Sequence, residues 1–559
     1  MEQLHQYIAA ARQAGHDDGQ IRDSLVTAGW DASRVNTALG NPAQPSPPPK
    51  HSDHAKPRSR KAIGLVSAAA LVVLAAGGIV ADRFHPTHVA PGPPRPAPSL
   101  TLYYDDGKTV LWQDNNPAVE PAAQPTNAPY FVDVVRAELQ QKYGDSYWKQ
   151  GAWQITTSLN TGLQATAEKL VTDNYANIQT RTGGAADEEA TILQDVQTGQ
   201  IKALVGGTDR SNPDHGQINF AITPLEPGSS VHPFAYADLL EHTTNTGAGT
   251  AMDDAPAPFP GYPCTIVSGS GNNCFRDYDL LYPGNISMRY ALGGQRNVPA
   301  MQAIYAAAGS NDAATAVNQF AGLIRTMGAS SGYNCYSDWA LTKTAQCYGT
   351  AVLGDAAYLS LADEVHALST FANNGRVVPQ TAIVSVRLNG RIVSAWHNPV
   401  GQQTIRPDTA YIINDILSDP NASYLPGSCT AGSCTSLSSF GYKFQRYSGW
   451  HFAVDTGTTT NNFSAVMASW SGKYAVASWV GNHGQAQSLS SARNASGETL
   501  TEPLTRGLME AAHHNLAPRN WQRPAGIQTL PAFVTTTHIH YGDVEPSPSE
   551  DIYPAWYKP

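Results

Sequence analysis

Pro227-Gly228-Ser229-Ser230-Val231-His232-Pro233-Phe234 decides how this 559-residue chain is read. The stretch sets a serine just ahead of an apolar helical run over residues 234–240. A helix start aims backbone N–H groups at whatever precedes it, which is the arrangement a developing oxyanion needs. His232 follows Ser229 by three residues and is a capable base when neutral, with an unperturbed pKa of ~6.5. Two more short patterns follow in order, Gln295-Arg296-Asn297 and Asp455-Thr456-Gly457-Thr458-Thr459.

In that order the three patterns resemble the motifs of the penicillin-binding transpeptidases, Pro-Gly-Ser-x-x-Lys-Pro, Ser-x-Asn and Lys-Thr-Gly-Thr-Thr. Each has lost its key residue: His232 replaces the motif lysine, Gln295 the serine, and Asp455 the second lysine. The resemblance is nearly continuous from Asn127-Ala128-Pro129-Tyr130-Phe131-Val132-Asp133 to about Gly481. Gln154-Ile155-Thr156-Thr157-Ser158-Leu159-Asn160 matches a linker strand, and helical spacing continues over residues 163–170. Apolar runs 191–196 and 201–205 flank Thr198-Gly199 as a hairpin, and runs 463–470 and 474–480 flank Ser471-Gly472-Lys473 as another. The resemblance implies an α+β fold of the serine transpeptidase/β-lactamase type, an antiparallel sheet flanked by helices. It divides the chain into a linker region, 127–190, a transpeptidase-like domain, 191–525, and a C-terminal tail, 526–559. Leu102-Tyr103-Tyr104-Asp105-Asp106-Gly107-Lys108 resembles the short strand after the membrane anchor of the class A proteins. Their glycosyltransferase signature, Glu-Asp-x-x-Phe, appears nowhere in the sequence, so glycan polymerisation is not expected.

The resemblance assigns roles residue by residue. Ser229 is the nucleophile, its backbone N–H and that of Thr458 are the oxyanion donors, and Asn297 binds the substrate amide. Thr456, Gly457 and Thr458 lie on an edge strand that pairs with an acyl-peptide donor. His232, Gln295 and Asp455 fall on the base, the proton relay and the carboxylate anchor. Imidazole is shorter and stiffer than lysine, and Gln295 has no hydroxyl proton to pass on. A lysine about 4 Å from a substrate carboxylate gains roughly 4 kcal/mol at an effective dielectric near 20, and a charged aspartate loses about as much.

Outside these motifs the chain describes its own compartment. Residues 62–81 are an uninterrupted uncharged run, long enough at about 1.5 Å per residue to span a ~30 Å hydrocarbon core. Lys50, Lys56, Arg58, Arg60 and Lys61 precede it and only Arg83 and Arg95 soon follow. The positive-inside rule therefore places the N-terminus in the cytoplasm and the main domain outside a bacterial cytoplasmic membrane. Residues 1–40 carry helical spacing at Leu4, Ile8 and Ala11, at Ile21 and Leu25, and at Val35 and Leu39. They predict a small three-helix cytoplasmic module joined by a linker, 41–61; residues 82–126 are an extracytoplasmic stalk and short strand. All six cysteines fall on the outer side, where disulfides persist. Their spacing suggests local pairs Cys264 with Cys274, Cys335 with Cys347, and Cys429 with Cys434.

The net charge of −10 gives no footprint for nucleic acid. No cofactor or metal is expected, and His513-His514 and His538-x-His540 read as solvated surface histidines. Two functional readings follow. In one, the domain is a pseudoenzyme, a scaffold or regulator of peptidoglycan assembly that contacts stem peptides or other wall-assembly proteins. In the other, it is a serine D,D-transpeptidase or carboxypeptidase that uses a Ser229–His232 pair.

Overall fold

A computed structural model describes residues 99–114, 127–260, 349–422, 497–532 and 550–559, most of 262–335 and 429–489, and Asp18, Arg22 and Leu39 nearer the N-terminus. The apolar run 62–81, the linker 41–61, the stalk 86–98, Cys347 and the rest of the 1–40 module lie outside the described residues. No helix among the described residues is long and apolar enough to cross a membrane. The elements below all belong to the unit Arg95–Pro559.

Strand β1 (Ser99–Tyr103) pairs with β2 (Val110–Asp114), and α1 (Pro129–Tyr143) follows with proline in its first turn, where no N–H is missed. After β3 (Ala152–Thr157), Asn160 caps α2 (Thr161–Thr182) by accepting from the N–H groups of Gly162 and Leu163. Strand β4 (Glu188–Asp195) turns through Thr198-Gly199 into β5 (Ile201–Val205). A single 3₁₀ turn, Gly228–Val231, leads into α3 (His232–His242). Next come α4 (Met288–Gly293), α5 (Asn297–Ala308) and α6 (Leu361–Ala372), the last capped by the Ser360 hydroxyl.

The chain then returns to its first sheet. Strands β6 (Ile383–Leu388) and β7 (Arg391–Ala395) are joined by Asn389-Gly390, both at positive φ, the two-residue turn that matches strand twist. They complete a five-stranded sheet of order β7-β6-β3-β1-β2. A hairpin from within the 191–525 span thus shares a sheet with residues 99–157. Helix α7 (Pro407–Leu417) precedes the three strands that finish the second sheet: β8 (Ala453–Thr458), β9 (Ser464–Trp470) and β10 (Tyr474–Gly481). Its order is β8-β9-β10-β4-β5, antiparallel throughout, with α8 (Gly497–His513) after it. The two expected hairpins therefore sit side by side.

This sheet is apolar on both faces because helices cover both, and side chains alternate between the layers. Leu193 and Val476 face Ala167 and Val171 of α2 and Leu504 and Leu508 of α8. Ile192, Ala475, Ala477 and Trp479 face the larger core, where Phe220 stacks on Trp479 with ring centroids 5.0 Å apart. Every residue of α6 is buried there. His513 is not a surface group: it is 1 % exposed, with Nδ1 against the Met509 carbonyl and Nε2 against the Ser471 hydroxyl, because α8 lays it on the sheet. His514 is exposed, as expected, and residues 538–540 are outside the described residues. The C-terminal segment is docked: Gln528–Pro531 pairs with Glu550–Tyr553, and Asp551 meets the buried Arg289 of α4 at 2.6 Å.

Cys264 and Cys274 form a disulfide with Cα atoms 4.3 Å apart. Cys429 and Cys434 are cross-strand partners in a two-residue ladder. Non-reducing peptide mapping is expected to recover the Cys264–Cys274 crosslink. Replacing both by alanine should lower stability by about 2–3 kcal/mol, the contribution of closing a loop of this length; an unchanged urea midpoint would remove that assignment.

Candidate functional site

The site starts from three glycines. Gly228, at φ +61°, sits so close to β8 that an added Cβ would lie 2.6 Å from the Thr458 nitrogen. A Cβ on Gly457 would collide with the Pro227 carbonyl, and one on Gly354, also at positive φ, with the backbone of Gly228. The turn carrying Ser229 is thus pressed onto the edge strand, backbone against backbone. That brings Ser229 beside Thr456-Gly457-Thr458, three of the residues that the motif order brought together.

The predicted site residues separate into two layers. Ser229, Asn297, Thr456 and Thr458 are half-buried, at the surface of the fold. Asn297 opens α5 with its N–H on the Asp277 carboxylate and its Nδ2 3.4 Å from the Arg276 carbonyl. Beneath them His232, Gln295 and Asp455 are 0 %, 8 % and 1 % exposed.

Within the lower layer Gln295 and Asp455 meet. Gln295 adopts a left-handed backbone at φ 56° and donates from Nε2 to Asp455 Oδ1, which also accepts the Thr456 N–H at 3.0 Å. Asp455 Oδ2 and Gln295 Oε1 have no partner among the described residues. Burial drives the Asp455 carboxyl well above the usual carboxylate range, and the nearby Glu364 adds to it. The sequence expectation of a charged aspartate facing substrate is therefore replaced by a buried carboxyl driven toward its neutral form. Both nitrogens of His232 lack a hydrogen-bond partner among the described residues, Ser229 Oγ included, and burial pushes the imidazole down to about 3. The structure does not join Ser229 and His232.

Several participants were not read from sequence. Glu364 of α6 reaches the layer from a distant segment; burial raises its carboxyl to about 8, against a lowering by the Ser230 hydroxyl. Arg296, fully buried between the two motif positions, pairs with Asp254 at 2.6 Å and Asp277 at 3.2 Å and holds the Gln295–Asn297 loop. The only local signal for it was its place between Gln295 and Asn297. Nothing local marked Glu364, Asp254 or Asp277.

The buried carboxyls set a pH dependence. Glu364 has a folded-state pKa above its unfolded value, so at neutral pH the native chain holds a proton that the unfolded chain has released. Stability is then lost as pH rises toward about 8. His232 has the opposite sign but acts only below its unfolded value near 6.5, so the window from pH 6.5 to 8 isolates the acids. Urea unfolding across that window should show falling stability. In Glu364→Gln the slope should flatten by about 1.4 kcal/mol per pH unit, one proton; an unchanged slope would mean Glu364 is ionised in the folded chain.

No family model matches the chain. Among curated proteins it is 24% identical over 432 residues to penicillin-binding protein 1A of Streptococcus pneumoniae, covering 73% of this chain and 53% of that protein. It is 25% identical over 416 residues to penicillin-binding protein 1A of Clostridium acetobutylicum, covering 71% and 46%. The chain thus spans about half the length of these relatives. Among solved structures it resembles penicillin-binding protein 1A of Haemophilus influenzae, with TM-score 0.60 and 16% identity over 79% of each chain. It also resembles PonA1 of Mycobacterium tuberculosis, with TM-score 0.55 and 20% identity over 71% of this chain and 94% of that one. From motif order, sheet topology and these relatives, the chain carries a penicillin-binding-protein transpeptidase-like domain.

Proposed function

We propose that this chain is a membrane-anchored, catalytically silent penicillin-binding-protein homologue of bacterial peptidoglycan assembly, a scaffold or regulator that keeps the peptide-binding surface of a transpeptidase and has lost its proton chemistry. The observation that carries the reading is the Gln295–Asp455 hydrogen bond in a water-excluded layer. In the relatives' motifs these positions hold a hydroxyl relay and a cation. Here a primary amide donates to a carboxyl driven toward neutrality instead, and the pair supplies neither a hydroxyl relay nor a cation for a substrate carboxylate. His232 is the remaining base, and among the described residues neither of its nitrogens reaches a hydrogen-bond partner, Ser229 included, whereas a general base works within hydrogen-bond reach of the proton it takes. That weighs against the alternative of an active Ser229–His232 transpeptidase or carboxypeptidase.

Peptidoglycan as the setting rests on the relatives, and stem peptides or other wall-assembly proteins are the partners that fit. Support for peptide binding comes from the upper layer, where Ser229, Asn297, Thr456 and Thr458 stay accessible beside an edge strand. The anchor at residues 62–81, with a cytoplasmic module at 1–40, is the topology that the charge asymmetry favours.

Intact-protein mass spectrometry after incubation with penicillin tests the reading. No penicilloyl adduct is expected on the wild type; a stoichiometric adduct that Ser229→Ala abolishes would overturn the proposal in favour of the active alternative. His232→Lys alone should not restore acylation, because groups that act as a unit fail together. Combining it with Gln295→Ser and Asp455→Lys returns base, relay and anchor at once, and is expected to give a detectable adduct on Ser229.

A further inference from the structure

Away from the Ser229 cleft, three residues far apart in sequence meet at one end of the second sheet. Asp187 immediately precedes β4, His215 lies in the loop after β5, and His483 follows β10. One donor atom from each lies within 4.8 Å of the others. The two imidazoles are stacked, with centroids 4.3 Å apart and planes 4° from parallel.

The hydrogen bonds around His215 orient it as a ligand. Its Nδ1 is 2.6 Å from Glu188 Oε1, and its Nε2 is 3.0 Å from Asn212 Nδ2. The Asn212 carbonyl oxygen is engaged by the Asp214 N–H, so its NH₂ group faces the ring. Nε2 therefore accepts from Asn212, whose amide must turn away before a metal takes that lone pair, and Nδ1 carries the proton that it donates to Glu188. This is the neutral tautomer with a carboxylate behind it, the arrangement that metal-binding histidines use. Glu188 is itself fixed, fully buried and held by the N–H and hydroxyl of Thr208 at 2.7 and 2.9 Å. His483 is tied to Asp187 through its ring Nδ1 and through its own N–H at 2.8 Å.

We propose that Asp187, His215 and His483 form a binding site for a divalent transition-metal ion such as Zn²⁺, with Glu188 supporting His215 from behind. Two imidazoles and a carboxylate are a donor set such ions accept, and three protein ligands leave a fourth position for water or a ligand. Access is built in: a cleft of about 360 Å³ opens onto Asp187 and His215, lined also by Tyr175, Asp209 and Asn212. Donors around a tetrahedral zinc lie about 3.4 Å apart, so the ligands must close in slightly. In-plane lone pairs of parallel rings do not converge, and His483, with 41% of its side chain exposed, is the ring able to rotate out of the stack.

The site would tie together elements next to the Ser229 cleft. Glu188 pairs with Gly481, and the adjacent row runs in register from Glu189 through Val480 and Ala465 to Thr458. Site and cleft thus share one end of the sheet, roughly 14 Å apart at three strand spacings. The segment after His483 reaches the turn beyond Thr458, where the Leu489 N–H bonds the Asn462 carbonyl at 2.7 Å.

The full chain, purified in mild detergent, stripped with EDTA and dialysed, is titrated with ZnCl₂ by calorimetry, with bound metal counted by elemental mass spectrometry. One tight equivalent per chain is expected, lost in His483→Ala and in His215→Ala. In Glu188→Gln the affinity should fall roughly 10- to 100-fold. His483 is exposed, so its variant keeps the metal-free circular dichroism and melting temperature of the wild type even where His215→Ala disturbs folding. Co²⁺ in place of Zn²⁺ should give tetrahedral visible absorption bands that the His483 variant lacks. The chain has 17 histidines, so the His215→Ala/His483→Ala double variant sets the background. Zinc binding no greater than that background, or undiminished in His483→Ala, overturns the proposal and leaves the cluster a hydrogen-bonded histidine stack.

Discussion

The close approach of the Pro227 carbonyl to Gly457 is the contact on which the rest of the site depends. It has no room for a Cβ at position 457, and Gly354 closes on Gly228 in the same way. A methyl group at 457 would lever the Ser229 turn off the edge strand. Helix α3 would move with it, and so would the core it shares with α5 and α6. Glycine here costs some strand stability through backbone entropy, a loss accepted where two backbones must touch. Ser229 is positioned by this contact and by the start of α3, independently of what chemistry lies below it.

The layer below holds polar groups buried away from water. A buried lysine needs a counter-charge or a strong acceptor, and a buried carboxylate needs a donor. His232, Asp455 and Gln295 are instead groups that can be neutral together. Burial lowers the imidazole and raises the carboxyls, and the amide of Gln295 bridges to Asp455. An unpartnered buried polar atom costs about 1–3 kcal/mol. The orphaned atoms of His232, Asp455 and Glu364 therefore mark a region where polarity has been kept at some expense to stability. Arg296, by contrast, brings a guanidinium to Asp254 and Asp277, whose carboxyls burial also raises, and it anchors the loop that delivers Gln295.

The second sheet is also the frame of the histidine cluster. Antiparallel register puts the start of β4 and the end of β10 side by side, so residues nearly 300 positions apart become neighbours, as the 2.8 Å bond from His483 to Asp187 records. The same register places the cluster at the Thr458 end of the sheet.

Much of this architecture was legible in the residues. The two hairpins around Thr198-Gly199 and Ser471-Gly472-Lys473 and the helix after Ser229 were legible because strand and helix periodicities and turn residues are local properties of a chain; the antiparallel sheet flanked by helices was what the resemblance of the three ordered motifs implied. Proximity of Ser229 to Thr456-Gly457-Thr458 followed from motif order. What the motifs could not express was depth. Asp455 was read as a charge facing substrate, and His513 as a solvated ring; packing buried both. Whether a carboxyl or an imidazole carries its charge depends on how much water its neighbours exclude, and those neighbours, such as Glu364 from α6 or Arg296 with Asp254, come from segments with no local signature. The sequence alone determined the three motifs, their order along the chain and the local elements that flank them. Only the tertiary structure decided which are submerged and neutral, and which histidines meet, since burial and long-range register are set by the assembled core.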